Sequence, residues 1–142
     1  MANIIPDSFK SELLKGTHNF ASSGGDSFKL ALYTDISGLT ASTTAFTATN
    51  EVSTSGTNYT SGGNALTNNG VSTASNTAFI DFADLTFSSV TLSAVGAMIY
   101  NDDNSDKICL ILDFGGTKTA TNGDFIIQFP AAGATTAIFR IG

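Results

Sequence analysis

Few side chains in this sequence are equipped for chemistry. One cysteine (Cys109), one histidine (His18), two glutamates (Glu12 and Glu51) and ten aspartates are the whole supply of soft nucleophiles, bases and acidic metal ligands. A catalytic cysteine needs a base within hydrogen-bond reach. His18 lies in a polar stretch near the N-terminus with no recognisable Cys-His pattern, and Cys109 sits inside the apolar run Ile108-Cys109-Leu110-Ile111-Leu112. Such a cysteine reads as a buried, inert thiol that packs as a small hydrophobe. With a single imidazole in the chain, no Ser-His-Asp arrangement is supported either.

The acids are more suggestive at first sight. In Asn101-Asp102-Asp103-Asn104-Ser105-Asp106, the residues Asp102, Asn104, Asp106 and, further on, Asp113 fall on four ligand positions of an EF-hand loop. Lys107 stands where that loop requires glycine, an apolar strand follows it, and no helices flank it. Asn and Asp are standard turn formers, so the stretch reads as a hairpin turn and not a metal site. Asp81, Asp84, Asp113 and Asp124 raise the question of a paired-carboxylate glycosidase, but their spacing fixes no pair. The chain also has no Trp to serve as a sugar platform. Asp113-Phe114-Gly115-Gly116-Thr117-Lys118 departs from the phosphate-loop pattern, and its setting between two apolar runs predicts a hairpin. The expectation is a protein with no catalytic residues, no metal and no cofactor.

The elements that would position these residues are mostly strands. Ser, Thr, Asn and Gly make up 61 of the 142 residues and only 13% are charged, while 42% are apolar. That composition has enough apolar material for one core but disfavours a helix bundle, because those four residue types are weak helix formers. One short helix is expected near residues 8 to 15, capped by Asp7 or Ser8 and stopped by Gly16, with Phe9, Leu13 and Leu14 docking on the rest. From Phe28 the hydrophobic period becomes two, with Phe28, Leu30 and Leu32 on one face. Residues 35 to 72 read as loops and short edge strands pinned by apolar residues about seven apart, with turns at Ser61-Gly62-Gly63-Asn64 and Asn68-Asn69-Gly70. Strands are expected at 78–82, across 87–100, at 108–114 as a central strand covered on both sides, at 124–129 and at 137–141. The prediction is mainly β: a single-domain antiparallel β-sandwich or barrel of seven to eight strands with one short N-terminal helix. Residues 1–24 would form an arm and helix, and residues 25–142 the sandwich.

Charge excludes further classes. The net charge is −6 and the six basic residues are scattered, so there is no patch to neutralise nucleic acid or to attract an anionic membrane. The first residues lack the basic start and apolar stretch of a signal peptide, and no apolar run approaches the roughly 20 residues of a membrane helix. The expectation is synthesis in a cytoplasm without disulfides.

Several segments, taken in order, carry a resemblance. They are Ser8-Phe9-Lys10 with Leu13-Leu14-Lys15-Gly16, Asp26 to Thr34, Thr49-Asn50-Glu51-Val52, Tyr59 to Gly63, Phe82 to Leu92, Ala94 to Asn101, Leu112 to Gly116, and Asn122 to Pro130. Together they resemble a group of small virion proteins of tailed bacteriophages. In that group the position of Phe87 often holds Trp and that of Val95 often holds Arg. The resemblance implies a non-enzymatic structural protein located in the virion. The first expectation is a capsid decoration (cement) protein that binds the major capsid protein and copies of itself, in trimers at the threefold positions of the shell. The alternatives are a tail or head–tail component, or a carbohydrate- or host-receptor-binding module using the Asx-rich loops. Ile4, Ile5, Phe9 and Leu13 place four large apolar side chains where chain ends are normally polar, and form the candidate partner-binding set.

Overall fold

The computed structural model describes residues 3–142. Two antiparallel sheets face each other. The larger has the order β2-β1-β5-β6, where β1 is Phe28–Tyr33, β2 is Asn64–Ala65, β5 is Leu85–Asn101 and β6 is Lys107–Ile127. The smaller has the order β3-β4-β7, with β3 Asn68–Ala74, β4 Thr77–Phe82 and β7 Phe139–Ile141. One helix, α1 (Asp7–Leu14), precedes them. The expected mainly-β sandwich with one short N-terminal helix is the architecture found.

Alternation explains the core between the sheets. Phe28, Leu30 and Leu32 of β1, Ile99, Ala97, Leu92, Val90 and Phe87 of β5, and Ile80, Phe82 and Phe139 of the smaller sheet meet there. Aromatic rings lock it. Phe20 stacks on Phe28 at 4.3 Å between centroids, and Phe9 meets Phe139 edge-on at 5.2 Å. A second cluster lies on the opposite face of the large sheet. There Ala31, Tyr33, Met98, Tyr100, Ile108 and Ile111 are roofed by Ile36, Leu39 and Phe46 from the long loop after β1. The 108–112 segment is therefore apolar on successive residues because both of its faces are covered. It is not central, however: β6 is the edge of its sheet. Its free edge is capped by single antiparallel bridges from Ile4 to Ile111 and from Ala45 to Lys107, which protects part of an otherwise open ladder.

The Asn101–Asp106 turn joins β5 to β6 as expected, with Ser105 and Asp106 at positive φ. The expected hairpin at Gly115-Gly116 does not form. β6 runs on through it for 21 residues, pairing with β5 nearly throughout. Ala94 pairs with Lys118 and Gly96 with Asp113, so four residues of β6 bulge out opposite Val95 alone. Gly115 and Gly116 at φ +76° and +155° supply the backbone freedom for that bulge. The separate strand expected at 124–129 is the end of the same β6. Asn68-Asn69-Gly70 likewise opens β3 through a register shift instead of making a turn. The tight turn nearby is Ser75-Asn76, both at positive φ, the pattern of a two-residue hairpin.

The helix is capped differently from expectation. Pro6 occupies the N-cap and no side chain caps the first turn, because proline's fixed φ and missing N–H suit that end of a helix. Gly16 at φ +72° closes the other end, its N–H on Leu13 O (3.1 Å) and the Thr17 N–H on Glu12 O (2.9 Å). This is the Schellman arrangement. Eight residues do not hold a helix alone. Burial of Phe9, fully enclosed, anchors it, a contribution of roughly 1.5–3 kcal/mol by area. Leu14 was expected to dock as well but is 93% exposed, since it falls about 100° around the helix from Leu13.

Candidate functional site

The fold gathers the chemistry-bearing residues at the end of the sandwich where α1, the segment before β1 and the β5–β6 turn meet. Asn101, the last residue of β5, is fully buried. Its Nδ2 donates to His18 Nδ1 (3.0 Å) and to Asp26 Oδ2 (2.8 Å), while its Oδ1 accepts from the Asp103 N–H (3.1 Å). Asp26 Oδ2 also accepts from the Asn19 N–H (2.8 Å) and from Asn104 Nδ2 (3.0 Å). An inverted amide would set oxygen against the Asp26 carboxylate, so Asn101 is locked in one orientation. His18 Nδ1 must then be an acceptor. Its Nε2 carries the proton and donates to Glu12 Oε1 at 3.2 Å. Glu12 Oε2 pairs with Lys107 Nζ at 2.9 Å. Burial raises the Glu12 carboxyl, but the Lys107 ammonium and the His18 bond outweigh it and hold the group below its ordinary value.

Cys109 Sγ lies 3.9 Å from His18 Nδ1. The sequence showed no Cys-His pattern, and β6 brings the two together across 91 positions. The geometry is that of packing. The thiol is fully buried, and burial first, then Glu12 and Asp26, push it well above the ordinary thiol range. A thiol so placed is a poor nucleophile, and the imidazole nitrogen facing it is already bonded to Asn101.

A second carboxylate is also engaged internally. Glu51 Oε1 accepts from Tyr59 Oη (2.8 Å) and from the Gly62 N–H (2.6 Å), and Oε2 accepts from Ser61 Oγ (3.0 Å). Tyr59 Oη in turn accepts from the Leu32 N–H at 3.0 Å. This knot ties the 51–63 loop to β1. The Asx-rich turn is similarly occupied. Asp103 accepts from the Ser27 N–H (2.7 Å) and Asp102 lies 3.8 Å from Lys29 Nζ. The four acids weighed as glycosidase pairs each take a local donor instead: Asp81 from Asn69, Asp84 from the Phe129 N–H, Asp113 from the Gly115 N–H, and Asp124 from the Ser89 N–H. Among the described residues, no three His, Cys, Asp or Glu side chains are placed to hold a metal ion.

The N-terminal set is distributed along the molecule. Ile4 exchanges two backbone hydrogen bonds with Ile111, both 2.9 Å, and packs half-buried on the second cluster. Ile5 and Leu13 are half-buried against the main core, and Phe9 is inside it. Two concave surfaces stand out among the described residues. A recess of about 700 Å³ opens between residues 13–23 and the smaller sheet, lined by Leu13, Phe20, Ile80 and Phe139 and by the exposed Val71 (54%) and Ile141 (58%). Among the described residues, no Asp, Glu, Lys or Arg lines it. A groove of about 510 Å³ runs beside the β6 bulge, with Phe114, Lys118, Phe125, Gln128 and Pro130 among its walls. Neither was legible in the sequence, because each is assembled from segments far apart in the chain.

These features define a two-sheet β domain whose reactive side chains are mostly internal ties and whose apolar residues partly face outward. Compared with known proteins, the chain matches no family model, no curated protein and no solved structure.

Proposed function

We propose that this protein is a non-enzymatic structural component of a tailed-phage virion. In this reading it decorates the outside of the assembled head, bound to the major capsid protein and to copies of itself arranged as trimers. The virion assignment rests on the ordered motifs from Ser8 to Pro130. The observation that carries the structural role is the division of labour between side chains. Glu12, His18, Asp26 and Asn101 bond to one another under cover, with the Cys109 thiol packed beside them, while Val71 and Ile141 stand exposed around a recess that no charged side chain of the described residues lines. Exposed apolar clusters of this kind mark surfaces that meet other proteins. Shell lattices offer threefold positions at which copies can share such surfaces.

The test is quantitative mass spectrometry of purified particles, paired with a retention assay on shells stripped of the protein. The expected result is on the order of hundreds of copies per particle, as closed shell symmetry requires of a decorating subunit. Replacing Val71 and Ile141 by Asp should abolish retention while the circular dichroism spectrum stays that of the parent. Tens of copies or fewer would move the protein to a tail or head–tail position. Absence from particles would overturn the virion reading.

A further inference from the structure

The groove beside β6 is shaped by the bulge in that strand. Opposite Val95 alone, β6 places four residues, Phe114 to Thr117, before pairing resumes at Lys118. A Cβ at Gly115 or Gly116 would meet open space, so crowding does not explain the excursion. Its effect is to hold Phe114 half-buried on the groove wall, 6.0 Å from the Phe125 ring and tilted by 46° to it. Bulges characteristically re-aim a side chain in this way.

Three polar side chains of the groove, Lys118, Asp124 and Gln128, have donors or acceptors to offer. Lys118 pairs in register with the fully buried Ala94, which puts it on the core-bearing face of the strand. Neither its ammonium nor the Gln128 amide is engaged within the described residues. Asp124 uses one oxygen for the Ser89 N–H at 3.3 Å and leaves the other open. The volume of about 510 Å³ falls within the roughly 300–1,000 Å³ of small-ligand sites.

We propose that this groove binds a neutral oligosaccharide. Phe114 lies against the apolar C–H face of one sugar ring, and Lys118, Asp124 and Gln128 hydrogen-bond its hydroxyls. Two alternatives fit less well. A polyanion would meet the Asp124 carboxylate beside the single Lys118. An extended peptide adding to the sheet needs a regular run of free N–H and C=O groups. The β6 edge is interrupted at residues 114–117 and again near Asn122, which sits at φ +48°. The inference stands apart from the head-binding reading, since a sugar site would serve at any position on a particle.

The experiment is an amide NMR titration of the full chain. The probes are trisaccharides of glucose, N-acetylglucosamine, galactose and rhamnose, each taken to about 10 mM, a range that captures weak binding. At least one should give saturable shifts at Phe114–Thr119 and Asp124–Phe129, and Phe114→Ala should weaken it by about tenfold or more. Should Phe114→Ala fail to fold, the exposed pair Lys118→Ala and Gln128→Ala carries the same expectation. Shifts confined to the Asn101–Asp106 turn or to the other recess would overturn the proposal. So would the absence of saturable shifts from all four sugars, or binding that Phe114→Ala and the Lys118/Gln128 pair leave unchanged.

Discussion

Replacing Asn101 by Ala strikes the polar network at its centre. The wild-type side chain is fully buried and makes three hydrogen bonds, to His18 Nδ1, Asp26 Oδ2 and the Asp103 N–H. Asp26 keeps two other donors, Asn19 N–H and Asn104 Nδ2, so its loss is modest. His18 Nδ1 keeps only the distant Cys109 thiol at 3.9 Å. A buried polar group left without a partner costs about 1–3 kcal/mol, and the vacated amide volume adds about 1 kcal/mol. The expected loss is about 2–4 kcal/mol, which in a chain of this length lowers Tm by roughly 6–14 °C. Urea unfolding and calorimetry measure both. Asn101→Asp sharpens the reasoning by setting a second carboxylate at the 2.8 Å position facing Asp26. At neutral pH it should be more damaging than Asn101→Ala, and its deficit relative to the parent should narrow as pH falls, because two facing carboxylates favour the uptake of one proton between them. An Asn101→Ala loss below about 0.5 kcal/mol, or an Asn101→Asp variant no worse than Asn101→Ala at neutral pH, would refute the locked-amide account.

Glu12 is held below its ordinary value despite burial, so its contribution is present above the unfolded carboxyl value and disappears as pH falls through the folded one. Glu12→Gln should flatten the acid limb of the stability–pH curve below about pH 5 while lowering stability at neutral pH. Burial raises all three tyrosines, Tyr33, Tyr59 and Tyr100. Their phenolate absorbance should therefore rise only with alkaline loss of the circular dichroism signal, and Cys109 should stay unreactive to a thiol reagent until the chain unfolds. At Gly63, φ is +78° and a Cβ would run into the Leu30 carbonyl. Gly63→Ala should cost about 3 kcal/mol or more, whereas Gly56→Ala, with φ +71° and open space, should cost only about 1 kcal/mol; paired denaturant melts separate the two.

Much of the fold is legible from local patterns. The alternation of Phe28, Leu30 and Leu32, the continuous apolar run around Cys109 and the Asx-rich turn each announce their element, because strand period and turn chemistry act over a few residues. The Gly115-Gly116 pair shows where that legibility stops. Glycine at positive φ serves a hairpin or a bulge equally well, and the choice fell to β5, whose 17 residues offer β6 a partner on both sides of the glycines. Leu13 and Leu14 read alike in sequence, but only Leu13 turns toward the core, because the docking of Phe9 sets the rotation of α1. The polar network depended on tertiary structure altogether. His18 meets Asn101 across 83 positions and Cys109 across 91, and Asn104 reaches Asp26 across 78. Composition and spacing supply such residues without saying which will meet. That is decided when the sheets close, because burial leaves each polar group only the neighbours that the packed backbone brings within hydrogen-bond reach.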